Sequence, residues 1–436
     1  MRTAILGAGE SGRGAALLAK KLGHEVWLSE KGRLRKEARQ ELLTNEIPFE
    51  EGAHNMEQLL RADQVIKSPG IPDQLPMIQQ IRAKGIPVIA EIEFAGRHTD
   101  AELVAITGTN GKTTTTLLTY HLLREAGREV VLGGNVGRSF ARLVAEGDFP
   151  LAVLELSSFQ LDGIVHFRSH VAALLNITPD HLDRYDYQMA NYIAAKFRIT
   201  MNQGPEDLFF YWQEDDHIRS FLPRREGRAR LQPLSSGQVR GRSLAVGGRD
   251  LSLEGSELYG RHNAMNALFA AHMVSALGIA PEQLQHGLQT FRNHPHRMER
   301  VAVWQEVEYI NDSKATNVDA AYYALDAMQK PVIWIAGGTD KGNDYAALLP
   351  LVRHKVKALV CLGADNRKIK AAFESEVPQL EETTNAADAV AAAQQYAEPG
   401  DVVLLAPACA SFDLFKNYED RGDQFRQAVL SLKQNT

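Results

Sequence analysis

Between an apolar run and a helical pattern stands Thr107-Gly108-Thr109-Asn110-Gly111-Lys112-Thr113-Thr114, whose residue types suit a polyphosphate. Glycines let backbone N–H groups approach an anion, and a helix N-terminus adds a favourable dipole. The lysine supplies a point charge, and the hydroxyl after it can ligate Mg²⁺. The general phosphate-loop pattern would have its first glycine where Ile106 stands. A second glycine loop, Gly7-x-Gly9-x-x-Gly12, has Glu30 some eighteen residues beyond it, which is the dinucleotide fingerprint. Taken alone it suggests NAD. Its block spans only about 90 residues, however, and a full dinucleotide fold needs two such halves. The pyrophosphate of another nucleotide would use the same glycines, and so would a plain structural turn.

Further polar clusters follow apolar runs. Glu155 closes Leu151 to Leu154, placed to hold Mg²⁺ near a phosphate loop, unless it is simply a solvated strand end. Asn176-Ile-Thr-Pro-Asp180-His181-Leu-Asp183 is rich in Asp and His, yet a lone loop His is more often a hydrogen-bonding residue than a ligand. In the last third come Asn311-Asp312-Ser-Lys314-Ala-Thr316-Asn317, Gly337-Gly338-Thr-Asp340-Lys341-Gly342 and Ala406-Pro-Ala-Cys409-Ala-Ser411-Phe412. Ligands of open α/β sheets gather outside the carboxyl ends of strands, and all three loops belong there. The basic clusters Lys31 to Arg39 and Arg224 to Arg230 lack aromatic interleaving and read as solvated surface.

The elements that must position these loops are short apolar runs alternating with helical patterns, which argues for parallel sheets in α/β layers. Expected strands include Thr3 to Leu6, Val26 to Leu28, Gln64 to Lys67, Pro87 to Ala90, Leu103 to Ile106, Leu151 to Leu154, Val171 to Leu175, Val332 to Ala336, Ala358 to Leu362 and Val402 to Ala406. Helices are expected over Asn263 to Leu277 and Pro281 to Phe291. The segment from about Pro223 to Gly255 reads as hairpins or loops. The polar stretch Glu91 to Asp100, with Gly96, suggests a boundary near residue 93, and Asn293-His-Pro-His-Arg297 suggests a second. The chain's 436 residues suit about three domains at roughly 150 each. The division read from sequence is 1-93, 94-294 and 295-436. Charged residues at 23% and hydrophobic ones at 44% exclude wholesale disorder. A net charge of -6 disfavours a general nucleic-acid binder. Two cysteines, Cys361 and Cys409, give no disulfide framework and fit a reducing cytosol. No apolar stretch approaches the ~18 residues of a membrane span.

Together, Thr107-Gly-Thr-Asn-Gly-Lys-Thr113, Glu155-Leu-Ser-Ser-Phe-Gln-Leu161, Asn176-Ile-Thr-Pro-Asp-His-Leu-Asp183 and Asn311-Asp-Ser-Lys-Ala-Thr-Asn317 resemble the Mur ligase family, the ATP-dependent amide-forming enzymes of peptidoglycan precursor synthesis. The resemblance covers essentially the whole chain and accounts for the shortened phosphate loop. Pro407-Ala-Cys-Ala-Ser-Phe-Asp-Leu-Phe-Lys-Asn-Tyr-Glu-Asp-Arg-Gly422 is similar to the D-glutamate-adding branch, and the Asp-Asn-Pro-Arg motif of the diaminopimelate-adding branch is missing.

What the resemblance implies is a cytoplasmic ligase that uses ATP and two Mg²⁺ ions and acts as a monomer. It would phosphorylate the carboxylate of UDP-N-acetylmuramoyl-L-alanine with ATP and let the amine of D-glutamate attack the acyl phosphate. A Rossmann-like N-terminal domain would bind the UDP-substrate, a central P-loop-type ATPase domain the ATP, and a C-terminal Rossmann-like α/β domain the amino acid. By the same carry-over Lys112, His181, Lys196 and Lys314 are catalytic. ATP would meet Gly108, Thr109, Asn110, Gly111, Lys112, Thr113, Thr114, Asn263, Asn266, Arg297 and Asp312. Thr113, Glu155, His181 and a carbamylated Lys196 would serve the metals. The UDP-substrate would meet Glu10, Ser11, Ser29, Glu30, Lys31, Ser68, Gly70 and Asn135, and D-glutamate would meet Thr316, Lys341, Ser411, Phe412 and Tyr418, the last standing where the family often has Phe. Since every substrate is an anion and the chain is acidic, attraction must come from Lys112, Arg297, Lys314, Lys341 and bound Mg²⁺. A ligase adding another amino acid, a nicotinamide dehydrogenase and a non-enzymatic nucleotide switch are the competing classes.

Overall fold

The computed structural model describes residues 1–293, 295–340 and 342–432. They form two compact units, Met1–Ser252 with Asn266–Leu288, and Leu253–Met265 with Gln289 onward. The first unit holds two parallel sheets. In one, the strand Arg2–Leu6 lies between Glu25–Glu30 and Gln64–Lys67, with Phe49–Glu51 and Val88–Ala90 at the edges. The glycine loop leaving Leu6 thus sits where the strand order reverses, the usual ligand position of such sheets. A Cβ on Gly12 would lie 1.8 Å from the Gly7 carbonyl oxygen, so glycine is required for the helix Glu10–Lys21 to start this close to the strand.

In the second sheet Glu102–Thr107 lies between Leu151–Glu155 and Val171–Leu174, flanked outward by Val131–Gly134 on one side and by Leu208–Trp212 and Arg230–Leu234 on the other. Both central strands are buried along nearly their whole length, as their continuous apolar runs require. Arg230–Leu234 corrects the reading of residues 223–255 as hairpins or loops. Five of these residues form a parallel edge strand that tolerates Pro233, while Val239–Arg240, Ser243–Val246 and Arg249–Ser252 do form an antiparallel meander. Glu91 to Gly96, within the polar stretch that suggested a boundary near residue 93, is a short buried helix. The Glu93 carboxylate is spent internally, accepting from the backbone N–H groups of Val165, His166 and Phe167.

The second unit contains a sheet in the order Glu299–Trp304, Val307–Asn311, Val402–Ala408, Val332–Gly337, Val356–Leu362, Gln379–Thr383, parallel except for its first pair. Apolar clusters pack on both faces of it. The three loops expected at its carboxyl edge leave three adjacent strands, since Asn311 pairs with Leu405 and Gly337 with Ala408. The α/β class and the parallel sheets read from sequence are therefore present.

Candidate nucleotide-binding and ligase site

Register sets the centre of the site. Ile106 is opposite Glu155 and Thr107 opposite Leu174, so the phosphate loop, the Glu155 turn and the Asn176 loop emerge side by side. Asn176 clamps the phosphate loop, accepting from Asn110 N at 2.8 Å and donating to Asn110 O at 3.0 Å. Thr109 Oγ1 accepts from Thr178 N at 3.0 Å. Gly111 caps the helix Lys112–Glu125 at φ +81°, and a Cβ there would lie 2.3 Å from Asn266 Oδ1, so Asn266 stands directly against the loop. Asn263, in the helix Gly260–Ala276, donates to the carbonyl of Tyr259 just before that helix at 3.0 Å.

Two lysines serve this loop. Lys112 Nζ donates to Gly108 O and Thr109 O, each at 2.9 Å. Lys196 Nζ donates to Gly108 O at 2.7 Å from the helix Met189–Phe197, with only 1% of the residue exposed. Burial, reinforced by the charge of Lys112, pushes the Lys196 ammonium well below its usual range.

Glu155 is buried, and Asn135 Nδ2 donates to its Oε1 at 2.7 Å. Its Oε2 is buried without any partner. A carboxylate oxygen left so is costly unless a cation or donor comes to it, which fits a metal. Among the described residues no group of three or more His, Cys, Asp or Glu could hold a metal ion. A hard cation at Glu155 would therefore take its remaining oxygens from the Thr113 hydroxyl, phosphates and water, as Mg²⁺ readily does. His181, at φ +51°, has its Nε2 3.5 Å from Asp180 Oδ2 and its ring edge-on to Phe159 in the turn following Glu155.

In the first sheet's domain, Ser68 Oγ is buried without a partner and faces the glycine loop, being the nearest atom to a Cβ built on Gly7. Glu30 accepts from Ala8 N at 2.7 Å and Gly32 N at 2.8 Å. Glu10, expected as a ligand contact, is engaged by Arg142 at 2.6 Å, Arg13 at 3.2 Å and Ser139. Ser29 is fully buried against Glu50 and His54, whereas Lys31 and Gly70 are exposed and Ser11 sits in the first turn of its helix.

In the second unit, Asp312 accepts from Met298 N at 3.1 Å, and burial raises its carboxyl to about 6 against the charge of Arg297. Lys314 Nζ lies 3.7 Å from the centroid of the Tyr418 ring. Thr316 N donates to Lys314 O, Ser411 is buried, and Phe412 is exposed. Lys341 lies outside the described residues. Sequence reasoning missed Arg421, which is 1% exposed. Its guanidinium donates to Ser313 Oγ at 3.0 Å, Ser313 O at 2.9 Å, Cys409 O at 3.3 Å and Gly337 O at 3.4 Å, tying together all three loops. Burial lowers its pKa to about 10. The usable signal was spacing, because Arg421, Phe425 and Val429 share the buried stripe of the helix Tyr418–Leu432.

A phosphate loop backed by two lysines and an acidic strand end, with further glycine-rich loops on two other α/β sheets, defines a nucleotide-dependent enzyme assembled from three α/β domains. Residues 2–75 match the MurD N-terminal domain model, 106–274 the Mur ligase middle domain, and 296–409 the Mur ligase glutamate ligase domain. The chain belongs to the Mur ligase family. It is 48% identical to the UDP-N-acetylmuramoylalanine--D-glutamate ligase of Christiangramia forsetii over 98% of this chain and 99% of that one. It is 49% identical to the enzyme of that name from Porphyromonas gingivalis, over 98% of both. Among solved structures, the MurF ligase of Thermotoga maritima in complex with ADP shares the fold at a TM-score of 0.63, with 12% identity over 94% of this chain and 96% of that one.

Proposed function

We propose that this chain is an ATP-dependent ligase that joins D-glutamate to UDP-N-acetylmuramoyl-L-alanine, releasing ADP and phosphate. A carboxylate is a poor electrophile until it is phosphorylated, and bringing it to a triphosphate sets like charges together. Two unit charges about 4 Å apart repel by roughly 4 kcal/mol at an effective dielectric of about 20. The observation that carries the reading is the gathering of Lys112 and Lys196 on one phosphate loop, beside a buried Glu155 oxygen that has no partner. Lys112 would exchange its two loop carbonyls for phosphate oxygens, and Asn266 would border the nucleotide. Glu155 and Thr113 would hold Mg²⁺, which when bound neutralises charge on the transferring phosphoryl group. A lysine whose ammonium is destabilised by burial is the kind that reacts with CO₂, which supports carbamylation of Lys196 and a second metal served by it and His181.

The loops held by Arg421 would seat the amino acid through Thr316, Ser411 and the backbone at Phe412, with Lys341 as a further cation. Arg297, Asp312 and Lys314 would serve the nucleotide. The three-domain division at about residues 93 and 294, a cytoplasmic monomer, and UDP contacts from Ser68, Gly70, Glu30, Lys31 and Asn135 belong to the same reading. Phosphate release measured with ATP, Mg²⁺, the UDP-substrate and a panel of D-glutamate, L-lysine and diaminopimelate tests it. D-Glutamate alone should drive turnover. Turnover unchanged when D-glutamate is omitted, or selective for another amino acid, overturns it.

A further inference from the structure

A hollow enclosing about 490 Å³ lies within the first compact unit. One wall is a single face of the helix Met189–Phe197 and its cap. Asn191, Ala194, Ala195 and Arg198 recur at helical spacing and all line the hollow. The other face of that helix carries Tyr192 and Lys196, which reach Thr109 and Gly108 of the phosphate loop. The hollow is thus a separate place, one helix away from the phosphate loop, and none of the residues assigned above to nucleotide, sugar or metal lines it.

Its chemistry is that of an anion site with an apolar wall. Arg82 is committed to Asp73 at 2.7 Å. Among the described residues, the other four arginines of the lining form no ion pair. Arg184 donates to Ile71 O and stacks 4.2 Å from the Phe159 centroid, and Arg198 donates to the carbonyls of Leu161 and Ile164. Arg225 donates to Leu222 O, while its Nε is buried with no partner at all. Arg224 is exposed at the rim. The basic cluster read from sequence as solvated surface therefore turns two of its members into this hollow. Of the acidic groups, Asp162 accepts from the Tyr185 hydroxyl at 3.0 Å; burial raises its carboxyl above the usual range, while the charges of Arg184 and Arg198 act against that rise, which leaves Arg224 and Arg225 as the arginines for an anion. Asp186 and Glu226 are exposed. Phe197, Met201 and Phe221 supply the apolar wall. Cavities of a few hundred Å³ with apolar walls and a few placed polar groups are the usual seats of small molecules.

We propose that this hollow is a second ligand site, for a small organic anion: a phosphate or carboxylate group carried on a short aromatic or aliphatic body. The anionic group would meet Arg225 and Arg224, and the body would lie along Ala194, Phe197 and Phe221. The inference does not depend on which amino acid the enzyme adds.

Phenyl phosphate is a suitable probe, titrated calorimetrically into the full chain saturated with a non-hydrolysable ATP analogue and the UDP-substrate, so that sites for those ligands are filled. One saturable site is expected, with inorganic phosphate and phenol each binding at least about tenfold more weakly, the factor that corresponds to ~1.4 kcal/mol. Arg225→Gln should weaken phenyl phosphate at least about fivefold, and Ala194→Trp, at an exposed helical position pointing into the hollow, should abolish its binding while keeping the wild-type unfolding midpoint. No saturable binding, or binding by both variants equal to that of the wild type, overturns the proposal.

Discussion

Arg421→Met isolates loop positioning from stability. The wild-type guanidinium is charged and buried, and the lowering of its pKa to about 10 is equivalent to roughly 3 kcal/mol of penalty on the charged form. Against this stand four acceptors, of which the two on Ser313, at 2.9 and 3.0 Å, have good hydrogen-bond lengths. Charge-assisted hydrogen bonds contribute about 1.5–3 kcal/mol each, so these two return roughly 3–6 kcal/mol. Net stability should therefore fall by only about 0–3 kcal/mol, while Ser313, Gly337 and Cys409 all lose their common donor. The expected result is a KM for the amino acid raised at least about tenfold, equivalent to ~1.4 kcal/mol. The KM for the UDP-substrate should be unchanged and the unfolding midpoint lowered by a few degrees at most. Arg421→Lys should recover only part of the loss, because one ammonium cannot span three loops with the geometry of a fork. A methionine variant that unfolds normally and keeps the wild-type amino-acid KM would refute the reasoning.

Gly111→Ala should cost about 1–2 kcal/mol for its left-handed backbone and push Asn266 away, weakening an ATP analogue at least about tenfold in calorimetry with the UDP-substrate bound normally. Lys112→Ala should lower acceptor-dependent phosphate release by roughly a hundredfold or more, yet leave UDP-substrate affinity within about twofold; strongly weakened UDP-substrate binding would contradict that division. Glu91, buried with one oxygen unpartnered, has its carboxyl raised from 4.5 to about 7. Its folded form holds the proton more tightly than the unfolded chain, so this contribution is complete below pH ~4.5 and is lost as pH rises through about 7, a change of roughly 3 kcal/mol. Urea unfolding at pH 5 and pH 8 should show Glu91→Gln losing about that much less stability than the wild type over the interval, and equal losses would exclude the assignment.

Much of the architecture was legible because buried parallel strands announce themselves as continuous apolar runs; Gln64–Lys67 begins and ends where its composition says it should. Arg230–Leu234 was not, since an edge strand carrying Pro233 and half-exposed residues looks like a loop until its partner Leu208–Trp212 is known. The phosphate loop and Glu155 were legible from glycine spacing and strand-end position. Glu10 shows the opposite case, because its position beside the glycine loop suggests ligand contact, but a partner 132 residues away, Arg142, occupies its carboxylate. Arg421 was hidden for the same reason, as three of its four acceptors are backbone carbonyls of loops elsewhere in the chain.

Glu30 gives the glycine fingerprint a different meaning. Its carboxylate already holds the Ala8 N–H, the kind of donor that a pyrophosphate would take in a dinucleotide site. A phosphate arriving there would stand beside a fixed negative charge and meet repulsion of roughly 4 kcal/mol at about 4 Å. With that N–H taken, the free donor beside this loop is the unpartnered Ser68 hydroxyl, whereas the other glycine loop is backed by two lysines, so the two loops of one chain present different chemistry to a ligand.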